Sequence, residues 1–175
     1  MRSGNDFVGA LAAARIGRTF NFYRDGAGAE RRRKRLAAYL ERRRRAPYLL
    51  VGEAAGYRGA RVSGIPFTSE RQLSGSGRAE ATATIVHRVL ADLDLEDRVL
   101  LWNLVPTHPG TECGNRPPSR AEIEGGRPFL DAVAEGRRVI PIGRLAHAAL
   151  GGVFVRHPSH GGAEPFRQGL AELIG

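Results

Sequence analysis

Residues 48–56 read Tyr-Leu-Leu-Val-Gly-Glu-Ala-Ala-Gly, an apolar run that passes directly into a turn bracketed by glycines. Following Pro47 and ending at Gly52, the run Tyr48 to Val51 predicts a buried strand whose chain leaves through a loop. The same pattern recurs downstream. Val99 to Val105 (VLLWNLV) predicts a second strand, closed by Pro106, and Val139 to Ile142 a third, with Pro141 better suited to its end than its middle. Val153 to Val155 predicts a short fourth strand, ending at Arg156-His157-Pro158.

Helical patterns lie between these runs. Glu30 to Arg44 sets Leu36, Tyr39 and Leu40 along one side, and Arg78 to Leu93 sets Ile85, Val89 and Leu93 at helical spacing. Ser119-Arg120-Ala121-Glu122 has the form of a capping box opening a helix toward Glu135, while Leu145 to Leu150 and Pro165 to Ile174 predict two more. Strands separated by helices of this length pair in parallel through right-handed crossovers. The expected fold is therefore an α/β class three-layer α/β/α sandwich around a small, mainly parallel four-stranded sheet. In such sheets ligands bind beyond the carboxyl ends of the strands. The segments there, GEAAGYRGARVSGIPF, NLVPTHPGTECGNRPPS and RHPSHGG, are dense in Gly, Pro and hydrogen-bonding groups.

Length and composition fit one domain spanning residues 1–175, with 1–45 a basic helical segment, 46–175 the α/β core, and Gly26 to Ala29 a hinge after an N-terminal appendage. No apolar run approaches the roughly 20 residues that span a bilayer. Met1 to Phe7 carries no charged-then-apolar leader, so a soluble, cytoplasmic, monomeric protein is expected. Cys113 is the single cysteine; it predicts a free thiol on a loop, and no metal or other cofactor is expected.

The net charge of +9 is unevenly placed, since residues 1–45 hold 13 Lys/Arg against 4 Asp/Glu and the remainder balances at 14 each. A block such as Arg31-Arg32-Arg33-Lys34-Arg35 can attract a polyanion through counterion release. It can equally be a solvated helix face in an arginine-rich chain, with one Lys against 26 Arg.

Four motifs follow in order: Gly52-Glu53-Ala54-Ala55-Gly56; Gly64-Ile65-Pro66-Phe67; Trp102-Asn103-Leu104-Val105-Pro106 with Asn115-Arg116-Pro117-Pro118; and Val155-Arg156-His157-Pro158-Ser159. Together they resemble the uracil-DNA glycosylase superfamily over about residues 48–170. The likeness is to bacterial branches with a GEAPG first motif, a later aromatic residue, a strand-end Asn and a terminal HPS loop. Ala55 stands where those relatives have Pro, and Gly56 where the best-known branch has the tyrosine that blocks thymine's methyl. The cysteines of the iron–sulfur branch are absent. No basic insert ending in His follows Gly59, which implies turnover rather than a trapped adduct.

The resemblance implies a monofunctional glycosylase that flips uracil or another deaminated base out of DNA and leaves an abasic site. Phe67 would stack on the base and Asn103 would read its O4 and N3–H, with Gly52 allowing close approach of the backbone. His157 would donate to O2 as negative charge develops, and Glu53 would position water and stabilise the sugar cation. Ser159, Gly161 and Arg156 would contact the DNA backbone. Each residue also has a plainer reading: Phe67 and Trp102 as core, Asn103 as a loop cap, Glu53 as the partner of Arg58 or Arg61. Two other activities use the same residues, hydrolysis of a free nucleoside or modified nucleotide and non-catalytic binding of damaged DNA.

Overall fold

Apolar runs buried on both faces make the strands of a parallel sheet. The computed structural model describes residues 4–175, so the first three residues of the Met1–Phe7 stretch lie outside it. Its strands are β1 (Tyr48–Ala54), β2 (Val99–Val105) and β3 (Arg138–Pro141), forming one parallel sheet of order β2-β1-β3. Around it lie α1 (Gly4–Ala13), α2 (Ala29–Arg42), α3 (Ala60–Ser63), α4 (Glu70–Ser74), α5 (Ala81–Asp92), α6 (Arg120–Ala134), α7 (Arg144–Leu150) and α8 (Ala163–Ile174). Every residue of β2 is buried, as a strand covered on both faces must be. The α/β class is as expected. No helix among the described residues is long and apolar enough to cross a membrane.

The sheet has three strands rather than four. Of Val153 to Val155, only Val155 reaches the sheet, through a single parallel bridge to Ile142, while Val153 and Phe154 are exposed. Gly151 and Gly152 both take positive φ and turn the chain sharply. The returning segment meets the chain just past β3 at one residue before Pro158 ends the approach. β1, in contrast, runs further than its apolar residues indicate. Gly52 pairs with Asn103 and Ala54 with Val105, so Glu53 sits on a strand rather than in a turn.

The N-terminal segment is no hinged appendage. Phe7, Val8 and Leu11 of α1 are buried, and Phe7 meets Trp102 edge-on at 5.7 Å between ring centroids. Asn21 Nδ2 donates to the carbonyls of Leu11, at 2.8 Å, and Ala14, at 3.0 Å, satisfying acceptors that the end of α1 would leave open. Leu36, Tyr39 and Leu40 of α2 are buried as their spacing predicts, and the Leu101 N–H donates to Tyr39 Oη at 2.7 Å. Trp102 is core, with no exposed surface.

α6 begins at the anticipated capping box, in which Ser119 Oγ accepts from the Glu122 N–H. Gly126 lets this helix close on β2, since a Cβ there would stand 2.1 Å from the Leu104 carbonyl oxygen. On α5 the buried stripe is Ala83, Val86, Val89 and Leu90, rotated from the expected Ile85, Val89, Leu93 face.

The arginine block is largely engaged within the fold. Arg32 Nε donates to the Phe22 carbonyl at 2.6 Å and Arg33 to that of Tyr23 at 2.6 Å, while Arg35 forks onto Glu70. Lys34 pairs with Glu30, Arg43 with Asp97 and Arg44 with Glu41. Arg31, Arg42 and Arg45 have no ion-pair partner among the described residues.

Candidate active site

The carboxyl ends of β1 and β2, together with the segment after Val155, open onto a cavity of about 290 Å³. Its lining includes Glu53, Gly56, Phe67, Glu80, Asn103, Arg116, His157 and Ser159. Four of the expected site residues, Glu53, Phe67, Asn103 and His157, are thus brought to one place from four separate segments. Ser159 joins them. Arg156 and Gly161 lie on the same loop but outside the lining, Arg156 exposed and Gly161 at φ 75°.

Gly52 lies beneath the site rather than on its wall. A Cβ built on it would fall 2.2 Å from Phe67 Cζ and 3.0 Å from Asn103 Oδ1. The glycine therefore seats the Phe67 ring against β1. Phe67 itself has φ 53°, a conformation costing about 1–3 kcal/mol for a bulky side chain. The surrounding bonds hold it there. Ser63 Oγ donates to the Thr68 carbonyl at 2.6 Å, Tyr23 Oη to that of Gly64 at 2.9 Å, and Thr68 Oγ1 lies 3.0 Å from His87 Nε2.

Asn103 is 3 % exposed, yet its amide has no hydrogen-bond partner among the described residues. A loop cap would show such a partner, and the residue sits within β2 rather than after it. A nearly buried amide left open toward a cavity favours a polar ligand that completes it.

Glu53 is half-buried, and burial raises its carboxyl above the ordinary carboxylate range. Neither nearby arginine engages it. Arg58 lies over the Tyr57 ring, and Arg61 is bound to Glu112. The carboxyl is left facing the cavity.

His157 accepts the Ser159 backbone N–H at its Nδ1, at 3.2 Å, with Ser159 Oγ 2.7 Å away. An amide can only donate, so the neutral ring carries its proton on Nε2, which has no partner among the described residues. Burial, with Arg156 and His160 adding to it, lowers the His157 pKa and favours this neutral form. Tight packing fixes the loop: a Cβ on Gly162 would lie 2.0 Å from the His157 carbonyl oxygen.

The segment after β2 forms the opposite wall. His108 is fully buried, with Nδ1 2.7 Å from the Ala55 carbonyl and Nε2 2.8 Å from that of Thr111. Asn115 Oδ1 accepts the Tyr57 N–H at 2.9 Å. Arg116 forks onto Glu122 at 2.8 and 2.6 Å, and that arginine, with the Ser119 and Arg18 N–H groups, brings the Glu122 carboxyl down to about 2. Cys113 is exposed, and no cluster of metal-ligating side chains occurs among the described residues.

Sequence reasoning missed Glu80 and Thr82, and gave no role to Asn115 or Arg116. Asn115 and Arg116 stand in a recognisable motif. Glu80 falls at the start of the Arg78 to Leu93 run read as a helix, where nothing in its spacing marks a site, so only the tertiary fold reveals it at the cavity.

Three comparisons bear on this arrangement. The search of curated proteins returned no match. Among solved structures, the crystal structure of wild-type Pedobacter heparinus SMUG2 is similar, with a TM-score of 0.69 at 14% identity, over 99% of this chain and 97% of that one. At that identity the likeness speaks to the fold alone. The family model for the uracil DNA glycosylase superfamily matches residues 41–172, which include both strand ends and the HPS loop, and the chain belongs to that superfamily.

Proposed function

We propose that this DNA glycosylase takes uracil as its base, extruding it from DNA and hydrolysing its bond to the sugar. The observation that carries this reading is the unpartnered Asn103 amide, set beside Phe67 and the free Nε2–H of His157 in one cavity. Uracil O4 and N3–H complement the amide's donor and acceptor, whereas cytosine presents the reverse pattern and pairs only with the amide turned over. Phe67 offers its face to the ring.

As the glycosidic bond lengthens, negative charge moves onto the base and positive charge onto the sugar. The neutral His157 donates from Nε2 to O2, needing no reorganisation because Ser159 already fixes the ring. Glu53, as carboxylate, orients water and stabilises the oxocarbenium-like centre, more strongly for being partly removed from solvent. Lys34, the only lysine, is paired with Glu30 on α2 and does not line the cavity, so no lysine is available there for a Schiff base and the product is an abasic site.

The test compares wild type with His157→Ala and Phe67→Ala on uracil-containing strands. His157→Ala should lose cleavage and keep DNA binding, while Phe67→Ala should weaken the flipped complex by roughly 1–3 kcal/mol. Equal cleavage by His157→Ala contradicts the mechanism.

A further inference from the structure

The cavity holds a second carboxyl group that the mechanism above does not use. Glu80 lines it beside Thr82, and no ion pair or hydrogen bond involves its side chain among the described residues. Its position is set by two glycines. A Cβ on Gly59 would stand 1.9 Å from Glu80 Oε2, and one on Gly56 would stand 2.7 Å from Oε1. The carboxyl therefore occupies the space that side chains at these two positions would fill.

The fold locates this group relative to His157. β1 lies between β2 and β3. Gly56 is tied to the β2 flank, because its neighbours Ala55 and Tyr57 bond to His108 and Asn115. His157 enters from the β3 flank, following the Val155 bridge to Ile142. Glu80 thus stands across the cavity from His157. In the uracil ring C5 lies opposite C2, so a base whose O2 meets His157 and whose O4 meets Asn103 turns its C5 edge to Glu80.

We propose that Glu80 determines specificity at this site: its carboxyl group forms the wall against the C5 edge and excludes bases with an apolar substituent there, thymine above all. The proposal rests on the uracil reading. A C5 hydrogen fits beside the wall. A methyl group collides with it and strips remaining solvent from a carboxyl that has no other partner. Burial already raises the Glu80 pKa, consistent with a group short of solvent.

The experiment measures kcat/KM on duplexes carrying U·G or T·G at one position, for wild type, Glu80→Ala and Glu80→Asp, with thermal melting to verify folding. The shared mismatch equalises the cost of extrusion and isolates the methyl. Glu80→Ala should keep uracil cleavage and raise the T:U ratio at least about tenfold, within the range one methyl group commands. Glu80 is the N-cap of α5, where aspartate is favoured, so Glu80→Asp keeps the fold while drawing the carboxyl back. It should give a smaller rise in the same direction. An unchanged ratio in either folded variant overturns the proposal, as does loss of uracil cleavage together with thymine. Failure of the wild type to cleave U·G instead overturns the uracil reading, and the specificity role falls with it.

Discussion

Replacing Gly52 by Ala tests how the site is assembled, because two physical effects predict opposite signs. Gly52 is not among the positive-φ glycines and sits in a paired strand, so its backbone accepts alanine. On conformational entropy alone the change should stabilise by about 0.4–1 kcal/mol. The new Cβ, however, would lie 2.2 and 2.8 Å from Phe67 Cζ and Cε2, and 3.0 Å from Asn103 Oδ1. The backbone around Phe67 is held by the Ser63, Tyr23 and Thr68 bonds, so the ring can yield only by leaving its seat on β1 and turning into the cavity. Overpacking of this kind costs about 1–3 kcal/mol, and that term should win. The melting temperature should fall, by roughly 2–4 °C per kcal/mol in a chain of this size. Displacing the stacking face should lower kcat/KM roughly 5- to 150-fold, corresponding to about 1–3 kcal/mol. Calorimetry and a cleavage time course read both effects. Gly52→Ala combined with Phe67→Leu should recover stability but not activity. A Gly52→Ala protein that melts higher than wild type and cleaves normally refutes the packing argument.

Asn103→Ala removes an amide that bonds to no described residue, so it should change stability by less than about 1.5 kcal/mol while lowering uracil cleavage 100-fold or more, at about 1.4 kcal/mol per decade. A large loss of stability by chemical denaturation would show that the amide serves the fold. Glu122→Gln should destabilise by about 2 kcal/mol, less than a fully buried pair because Arg116 is partly exposed. The Glu122 pKa is depressed in the folded protein, so its contribution is present above the ordinary carboxylate range and lost as pH falls toward about 2. Wild type should therefore lose more stability than Glu122→Gln between pH 5 and about 2; parallel curves contradict this. Burial raises the Glu53 pKa, so kcat/KM should fall on acidification with a midpoint above the ordinary carboxylate range. That limb should persist in Glu80→Gln, and its absence there would assign it to Glu80.

The sequence was most legible where one interaction dominates. Val99 to Val105 is apolar enough to be read as a strand buried on both faces, and Ser119 with Glu122 marks the start of α6 at the observed residue. It was misleading where an apolar run lacks room to pair. Val153 to Val155 has strand composition, but two preceding glycines and a following proline leave one bridge. α1 was hidden because Phe7, Val8 and Leu11 gain their meaning only from Trp102 and the core they cover. The site divides in the same way. Glu53, Phe67, Asn103 and His157 stand in ordered motifs, whereas Glu80 acquires its place only when Gly56 and Gly59 fold against it. Gly52 was visible as a glycine, but its task of seating Phe67 depends on a contact fifteen positions along the chain.

Release of uracil from DNA by this chain is read from the products themselves. Mass spectrometry of reactions on one oligonucleotide series, bearing U, C, T, hypoxanthine or xanthine at a single position, identifies both the freed base and the remaining strand. The U substrate should yield free uracil and an intact strand with one abasic site, and the C and T substrates neither product. Absence of free uracil, or its release from deoxyuridine but not from the oligonucleotide, would contradict the uracil reading.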